Sequence, residues 1–213
     1  MKKHFQDLLG KPPLTDDQTA IVNIVANELK VRKGPFKMDE LSVAINRIKT
    51  GKACGLDGIT AEVWKLKDFQ HILLDCCNGV YLQDTITAWT EDCLLPFLKK
   101  GDLSSIAKNY RGITLTPVAA KIYNLLLLNR IRPEIDPILR KNQNGFLSNR
   151  STSGQTFTIR RILEGIKQKN LPATMLFIDF SKAFDSIHRE KMLKILLSYR
   201  IPTEMVKAIS MLY

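Results

Sequence analysis

"LFIDFSKAFDSIHR", residues 176–189, decides how the rest of the chain is read. Leu176, Phe177 and Ile178 lead straight into Asp179, and Phe184 and Asp185 follow at once. Residues 175–178 are a near-continuous apolar run. This predicts that "ATMLFIDF", 173–180, is a buried central strand covered on both faces. An isolated Asp at a strand's end commonly caps a helix. Here the carboxylate would sit at the rim of the core, where an unpaired charge is costly. A divalent cation is the natural compensation, since hard oxygen ligands suit Mg²⁺. The chain is then expected to turn into a helix whose free N–H groups, around Lys182 and Ala183, form an anion site. A metal-binding carboxylate beside a phosphate cradle suits nucleotidyl transfer.

Composition agrees with a folded, polyanion-binding chain. The 213 residues are 45% hydrophobic, which is enough for a core and argues against disorder. Basic side chains number 32 against 21 acidic ones, a formal charge of +11. That excess favours nucleic acid, although a solubilising surface would explain the total equally well. The basic residues cluster, which is the more informative feature. Cys54, Cys76, Cys77 and Cys93 form no C-x-x-C pair and no zinc spacing with His4, His71 or His188. Cys76 and Cys77 read as core residues and the thiols as reduced, as expected of an intracellular protein. The opening "MKKHFQDLLG" is too short in apolar residues for a signal peptide. No run is long enough to predict a membrane span.

Three other motifs fail on their spacing. "TGKAC" lacks a phosphate-loop pattern, because Asn46 stands where the first Gly is needed and Ala53 where Ser or Thr is needed. Gly51, Gly55 and Gly58 do not make G-x-G-x-x-G. Ser151 and Ser153 have no nearby His, and Ser151 reads as a helix cap.

Periodicity outlines the elements. Phe5, Leu8 and Leu9 mark a short helix stopped by Gly10, Pro12 and Pro13. Residues 15–30 read as a second helix capped by Thr15, and "KVRKGPF", 30–36, as a basic connector. Leu41, Ala44, Ile45 and Ile48 share one helical face, ended by Gly51. Thr60 is expected to cap the next helix, and Phe69, Leu73, Cys76 and Val80 continue a helical face. "DCLLPFLKKG" and "RGITL" read as strands. Residues 117–132 read as an apolar helix that Pro133 ends or kinks. Ile159, Ile162, Leu163 and Ile166 mark an amphipathic helix with Arg160, Arg161, Lys167 and Lys169 on its polar side. Two further helices are split at Pro202. The fold class is α+β, helix-rich with a small sheet.

"FIDFSKAFDSIHR" resembles the first catalytic motif of reverse transcriptases in the form used by LINE-type (non-LTR) retrotransposons. Residues 94–131, "LLPFLKKGDLSSIAKNYRGITLTPVAAKIYNLLLLNRI", are similar to the first conserved block of these enzymes. "QNGFLSNRSTSGQTFTIRRILE", 143–164, is similar to the second. "RIKTGKACGLDGITAEVWK", 47–65, resembles the segment upstream of the polymerase fingers, and "HFQDLLGKPP", 4–13, the connector from an upstream endonuclease. The resemblance implies an incomplete right-hand polymerase. Residues 1–37 would be a connector, 38–90 a helical extension upstream of the fingers, and 91–213 the fingers and the start of the palm.

The same resemblance assigns roles. Asp179 matches the first metal-binding Asp of the palm, and Phe180 would offer its carbonyl to a second ion. The cofactor would be Mg²⁺ or Mn²⁺. Ser181, Lys182 and Ala183 would turn N–H groups toward the triphosphate. Phe184 matches the aromatic gate that packs under the sugar and rejects a 2′-hydroxyl; a core aromatic is the other reading. Asp185 would give a supporting contact. Arg111 matches the fingers arginine on the triphosphate, with Lys99, Lys100 and Lys108 competing as its companion. Gly112 stands where the family most often has Pro. Gln143, Asn144, Gly145, Phe146 and Arg150 would face the template; Phe146 stacks on a base or is buried. Arg150, Arg160 and Arg161 would meet phosphates. The partners implied are an RNA template, a DNA primer and deoxynucleoside triphosphates, inside the cell, in cytoplasm and nucleus, with no membrane. Nothing in the sequence fixes an oligomeric state.

Two-metal chemistry needs further carboxylates, which the family takes from a Tyr-x-Asp-Asp hairpin. That sequence is absent; the Asp16-Asp17 pair follows Thr15 instead. The expectation is therefore a truncated RNA-directed DNA polymerase that is inactive alone. A non-catalytic nucleic-acid-binding remnant is the alternative, and an unrelated helical interaction domain is a third reading.

Overall fold

The computed structural model describes residues 2–3, 26–82, 89, 91–99, 101, 105–180, 183–185 and 187–212. The helices expected around Phe5 and after Thr15 lie outside these residues as far as position 25. Residues 26–30 are not helical, contrary to the expected second helix. Leu29 and Val31 are buried while Lys30 and Arg32 are exposed, an alternation of period two that belongs to extended chain. The Leu29 N–H donates to the Arg200 carbonyl at 2.9 Å, so this segment lies against the far end of the chain.

Helix α1, Met38–Arg47, buries Leu41, Ala44 and Ile45, the face predicted from spacing. Its first turn is closed by Glu40, whose carboxylate accepts the Lys37 N–H at 2.9 Å. The helix stops at Arg47, and Gly51 takes a positive φ of 66° in the turn beyond. Short α2, Ala61–Lys65, begins after Thr60, whose side chain makes no capping bond, contrary to expectation. Helix α3, Lys67–Tyr81, buries Leu73, Cys77, Val80 and Tyr81. Phe69 is exposed and Cys76 half-buried, so the inward stripe is the one carrying Cys77 and Tyr81. It follows i, i+4, i+7 and i+8 from Leu73.

Strands β1, Cys93–Leu98, and β2, Tyr110–Leu115, pair antiparallel with Cys93 opposite Leu115 and Phe97 opposite Arg111. The hairpin is half-buried at its root, Cys93–Leu95 and Leu115, and exposed at Pro96–Leu98 and Arg111–Thr114, with Tyr110 half-buried at the tip. Helix α4, Val118–Ile135, is the centre of the molecule. It buries residues around most of its circumference, from Val118 to Ile131, as a helix with packing on several sides must. It runs through Pro133 and ends two residues later, passing into a 3₁₀ turn, Asp136–Ile138. A proline this near the end disturbs only the last turn. Helix α5, Thr152–Gln168, starts where Ser151 accepts the Gly154 N–H at 3.2 Å, the cap the sequence predicts. None of its residues is buried.

The largest departure concerns residues 171–180. They form no strand, and Phe177 is 80% exposed. A strand needs a neighbour for its backbone groups and cover for its apolar faces. The sheet among the described residues contains β1 and β2 alone, so this apolar run has neither. Helices α6, Arg189–Ser198, and α7, Thr203–Ser210, follow, split at Pro202 as expected.

One apolar core joins the three expected segments. It gathers Leu29, Val31 and Phe36, then α1, α3 and α4, then Ile201, Met205, Val206 and Ala208. Phe36 meets Tyr81 and Tyr123 edge-on, at 5.0 and 5.9 Å between ring centroids. The buried Tyr123 hydroxyl donates to the Ala208 carbonyl at 3.4 Å. Each large side chain fully buried here contributes about 1.5–3 kcal/mol. No described helix is long and apolar enough to cross a membrane.

Candidate functional site

The expected site residues fall on three structural supports. Arg111 is the second residue of β2, exposed near the hairpin tip. A strand rises about 3.3 Å per residue, so Arg111 stands some way out from the half-buried root. Lys99 follows β1, and its N–H donates to the Asn109 carbonyl at 2.9 Å, closing the tip. Lys108 lies in the 3₁₀ turn Ala107–Asn109, with its side chain outside the described residues. Lys100 lies outside them as well.

Asp179 and Phe180 lie on the exposed segment 171–180. The desolvated carboxylate inferred from a buried strand is therefore not what the structure contains. Ser181 and Lys182 fall outside the described residues. Ala183, Phe184 and Asp185 form a turn, and the next helix begins only at Arg189. Ala183 is therefore not at a helix N-terminus, the part of that expectation at Lys182 lies outside the described residues, and the next described helix starts at position 189. There the His188 imidazole accepts the Lys191 N–H at 3.3 Å and caps α6. A helix this short needs an apolar face to pack, and residues 183–185 and 187 are all exposed.

The third support is the turn between α4 and α5. The Gln143 side-chain amide donates to the Gly145 carbonyl at 3.3 Å, and Asn144 donates to the side chain of Gln155. Phe146 takes a positive φ of 63°, uncommon for an aromatic residue. Its carbonyl is held by the Arg132 guanidinium at 3.1 Å, and Arg132 is anchored on α4. Arg150 donates to the Lys141 carbonyl at 3.0 Å. Arg160 and Arg161 are exposed on α5, with Arg161 ion-paired to Glu164 at 2.6 Å.

Two of these supports meet. The rings of Phe146 and Phe184 pack edge to face, 5.9 Å apart with an interplanar angle of 86°. Both remain open to solvent, at 83% and 73% exposure, so the contact is a surface pair rather than part of the core. Of the two readings left open for Phe146, burial is excluded. No ion pair between Arg111 and Asp179 occurs among the described residues.

A divalent ion held for phosphoryl chemistry takes several oxygen ligands. Among the described residues no three His, Cys, Asp or Glu side chains gather into such a group. Asp179 is one exposed carboxylate. Among the described residues the donor set therefore does not make a metal centre.

Buried polar chemistry sits elsewhere, and the sequence reading missed it. Arg130 on α4 is only 6% exposed. Its Nε donates to Glu40 Oε1 at 2.7 Å, and Nη2 donates to Oε2 at 2.9 Å. The same guanidinium donates to the carbonyls of Gly34 at 2.6 Å and Pro35 at 3.0 Å, and stacks 4.2 Å from the Phe36 ring centroid. Burial pushes the Glu40 carboxyl up, but Arg130, the Lys37 N–H and the Arg32 charge outweigh it and hold it below the usual range. Glu204 is also held low, by the Tyr81 hydroxyl that faces it and by the Gly34 N–H at 3.0 Å. Burial, with Glu204 alongside, pushes Tyr81 up to about 12. A signal was present in the sequence: Arg130 falls in register with Tyr123, Leu126 and Leu127, inside the buried stripe of α4.

Residues 98–212 match the family described as "Reverse transcriptase (RNA-dependent DNA polymerase)". The chain is 25% identical over 224 residues to the "Transposon TX1 uncharacterized 149 kDa protein" of Xenopus laevis, covering 100% of this chain and 17% of that protein. It is 24% identical to the "Probable RNA-directed DNA polymerase from transposon BS" of Drosophila melanogaster, over 72% of this chain and 17% of that protein. It is 26% identical to the "Putative 115 kDa protein in type-1 retrotransposable element R1DM" of the same species, over 70% of this chain and 15% of that protein. The chain thus spans about a sixth of the length of these relatives.

Proposed function

Because this chain belongs to the reverse transcriptase (RNA-dependent DNA polymerase) family, we propose that it supplies the fingers and the first palm segment of a non-LTR retrotransposon polymerase. In this reading residues 26–37 and 38–82 brace the fingers from behind, and the matched segment 98–212 handles nucleotide and template. The observation that carries it is the Phe146–Phe184 pair, which joins the turn before α5 to the segment after Asp179. Those two stretches are far apart in sequence, and a polymerase needs them on one surface.

The roles follow from the chemistry of each side chain. Arg111 offers a planar, permanently charged fork to a triphosphate from an exposed hairpin. Phe184 lies under the sugar. Arg150, Arg160 and Arg161 meet template phosphates, giving affinity without sequence preference. Asp179 is one metal-binding carboxylate. Two-ion nucleotidyl transfer requires partners that these residues do not provide, so the chain alone binds and orients substrates without joining them. That property makes the non-catalytic binding remnant the second reading, consistent with the lack of a carboxylate cluster among the described residues.

The test uses the purified 213-residue chain. It is expected to bind an RNA–DNA primer–template in low salt, to crosslink a photoreactive deoxynucleoside triphosphate, and to incorporate no nucleotide. Arg111→Ala should weaken the crosslink. Absence of duplex binding, or a crosslink indifferent to Arg111, would overturn the reading.

A further inference from the structure

We infer that Phe146 is a positioning residue for sugar selection: its ring fixes the orientation of Phe184, and so sets how strictly a ribose is refused. The inference rests on the proposed placement of Phe184 under the sugar and adds a residue to that function.

Phe184 stands on a turn of exposed residues, 183–185, and its ring is 73% exposed. An aromatic side chain so open to water has little packing to hold it in one rotamer. A residue that rejects one hydroxyl by contact must nevertheless be held to within a fraction of an ångström. That support is Phe146. Its edge-to-face contact, at 5.9 Å and 86°, is a favoured aromatic arrangement.

Phe146 is itself held. Its φ of 63° is a conformation that bulky residues rarely adopt, so the surrounding turn must enforce it. Arg132 supplies that restraint by donating to the Phe146 carbonyl at 3.1 Å. Arg132 lies two residues from Arg130, on the part of α4 locked to Glu40. The last turn of α4 also carries the Arg132–Asp136 ion pair, at 3.7 Å. A continuous line therefore runs from the rigid core through Arg132 to Phe146 and on to Phe184. The two rings contribute nothing to the core, so their placement on the surface is not explained by stability.

The experiment measures the affinities of dCTP and CTP, each with Mg²⁺, for the intact chain by calorimetric titration, and takes their ratio. Phe184→Ala is the control for the gate. Phe146→Ala should reduce the preference for dCTP about two- to tenfold, the size an edge-to-face contact supports. Phe146→Gly, which suits the positive φ, should do the same, assigning the effect to the ring rather than to the backbone. Phe146→Tyr keeps the ring and should keep the ratio. Arg132→Ala should fall between. Melting temperatures of Phe146→Ala and Phe146→Tyr should match the parent, since the side chain is exposed, and that of Phe146→Gly should be no lower, since glycine adopts the positive φ without strain.

Loss of selectivity in Phe184→Ala with none in Phe146→Ala would overturn the inference and leave the gate standing. A ratio unchanged in Phe184→Ala, or no preference in the parent chain, would overturn the gate and the inference with it.

Discussion

Glu40 and Arg130 form a two-pronged buried ion pair, 2.7 and 2.9 Å between donor and acceptor, linking the first turn of α1 to the middle of the central helix. Every face of the guanidinium is used, by Glu40, by the carbonyls of Gly34 and Pro35, and by the Phe36 ring. Removing Glu40 would strand a desolvated cation. Glu40→Ala is therefore expected to cost about 3–5 kcal/mol in urea unfolding. Arg130→Lys should not preserve stability, because an ammonium cannot span the carboxylate and both carbonyls. A loss below about 1 kcal/mol in Glu40→Ala would mean that the pair is solvated after all.

The same carboxylate sets a pH dependence. The folded pKa of Glu40 lies below its ordinary value of 4.5. Between those two values the unfolded chain binds more protons than the folded one, so stability rises with pH across that window. The contribution is complete above the unfolded value and is lost as pH falls through the depressed folded value. Glu204 acts in the same direction. Unfolding free energy should therefore decline on acidification below about pH 5, and the decline should be shallower in Glu40→Gln. Identical slopes in the parent and Glu40→Gln would show that other carboxylates carry the acid sensitivity.

Gly55 controls a different junction. A Cβ built there would lie 2.5 Å from the Pro117 nitrogen and 2.7 Å from its Cα. These are backbone atoms at the point where β2 hands over to α4, so no side chain can swing aside. Gly55→Ala should cost about 1–3 kcal/mol through forced backbone movement. Gly58→Ala meets open space but has a φ of 68°, and about 1 kcal/mol of strain is its whole cost. The two variants, compared by thermal melting, separate crowding from backbone strain. Equal losses would contradict the close approach at Pro117.

Local patterns in this sequence were legible where an element satisfies itself. The face Leu41, Ala44 and Ile45, the Ser151 cap, the β1–β2 hairpin and the break at Pro202 all follow from nearby residues. The prediction failed at 173–180, where apolar composition was read as a buried strand. Apolar residues state a need for cover and say nothing of what provides it. Residues 26–30 are not helical, contrary to expectation, and the connector after them is more buried than its composition suggests. "KVRKGPF" is basic by composition, yet Val31 and Phe36 are buried in the apolar core, and the Arg130 guanidinium holds the Gly34 and Pro35 carbonyls and lies over the Phe36 ring. The Phe146–Phe184 contact was invisible for a third reason: it depends on a positive φ at an aromatic residue, which no propensity foretells. The contact between these two stretches is a matter of assembly, which residue types alone do not state.

Helix α5 makes the sharpest quantitative claim about nucleic acid. It carries Arg160 and Arg161 on an exposed surface, but only Arg161 is ion-paired among the described contacts, to Glu164 at 2.6 Å. A cation that neutralises a phosphate releases a condensed counterion, and each such contact adds about 0.9 to the slope of log affinity against log salt on B-form DNA, and less on single strands. An arginine already neutralised by its own carboxylate releases less. Arg160→Ala should therefore reduce the magnitude of the slope by nearly one contact's worth, and Arg161→Ala by less. Glu164→Gln should raise the affinity for a primer–template duplex while steepening the slope, because it frees Arg161. Titrations of a labelled duplex at several salt concentrations measure all three variants. A slope unchanged in Arg160→Ala would remove α5 from the nucleic-acid surface, whatever the hairpin does with the nucleotide.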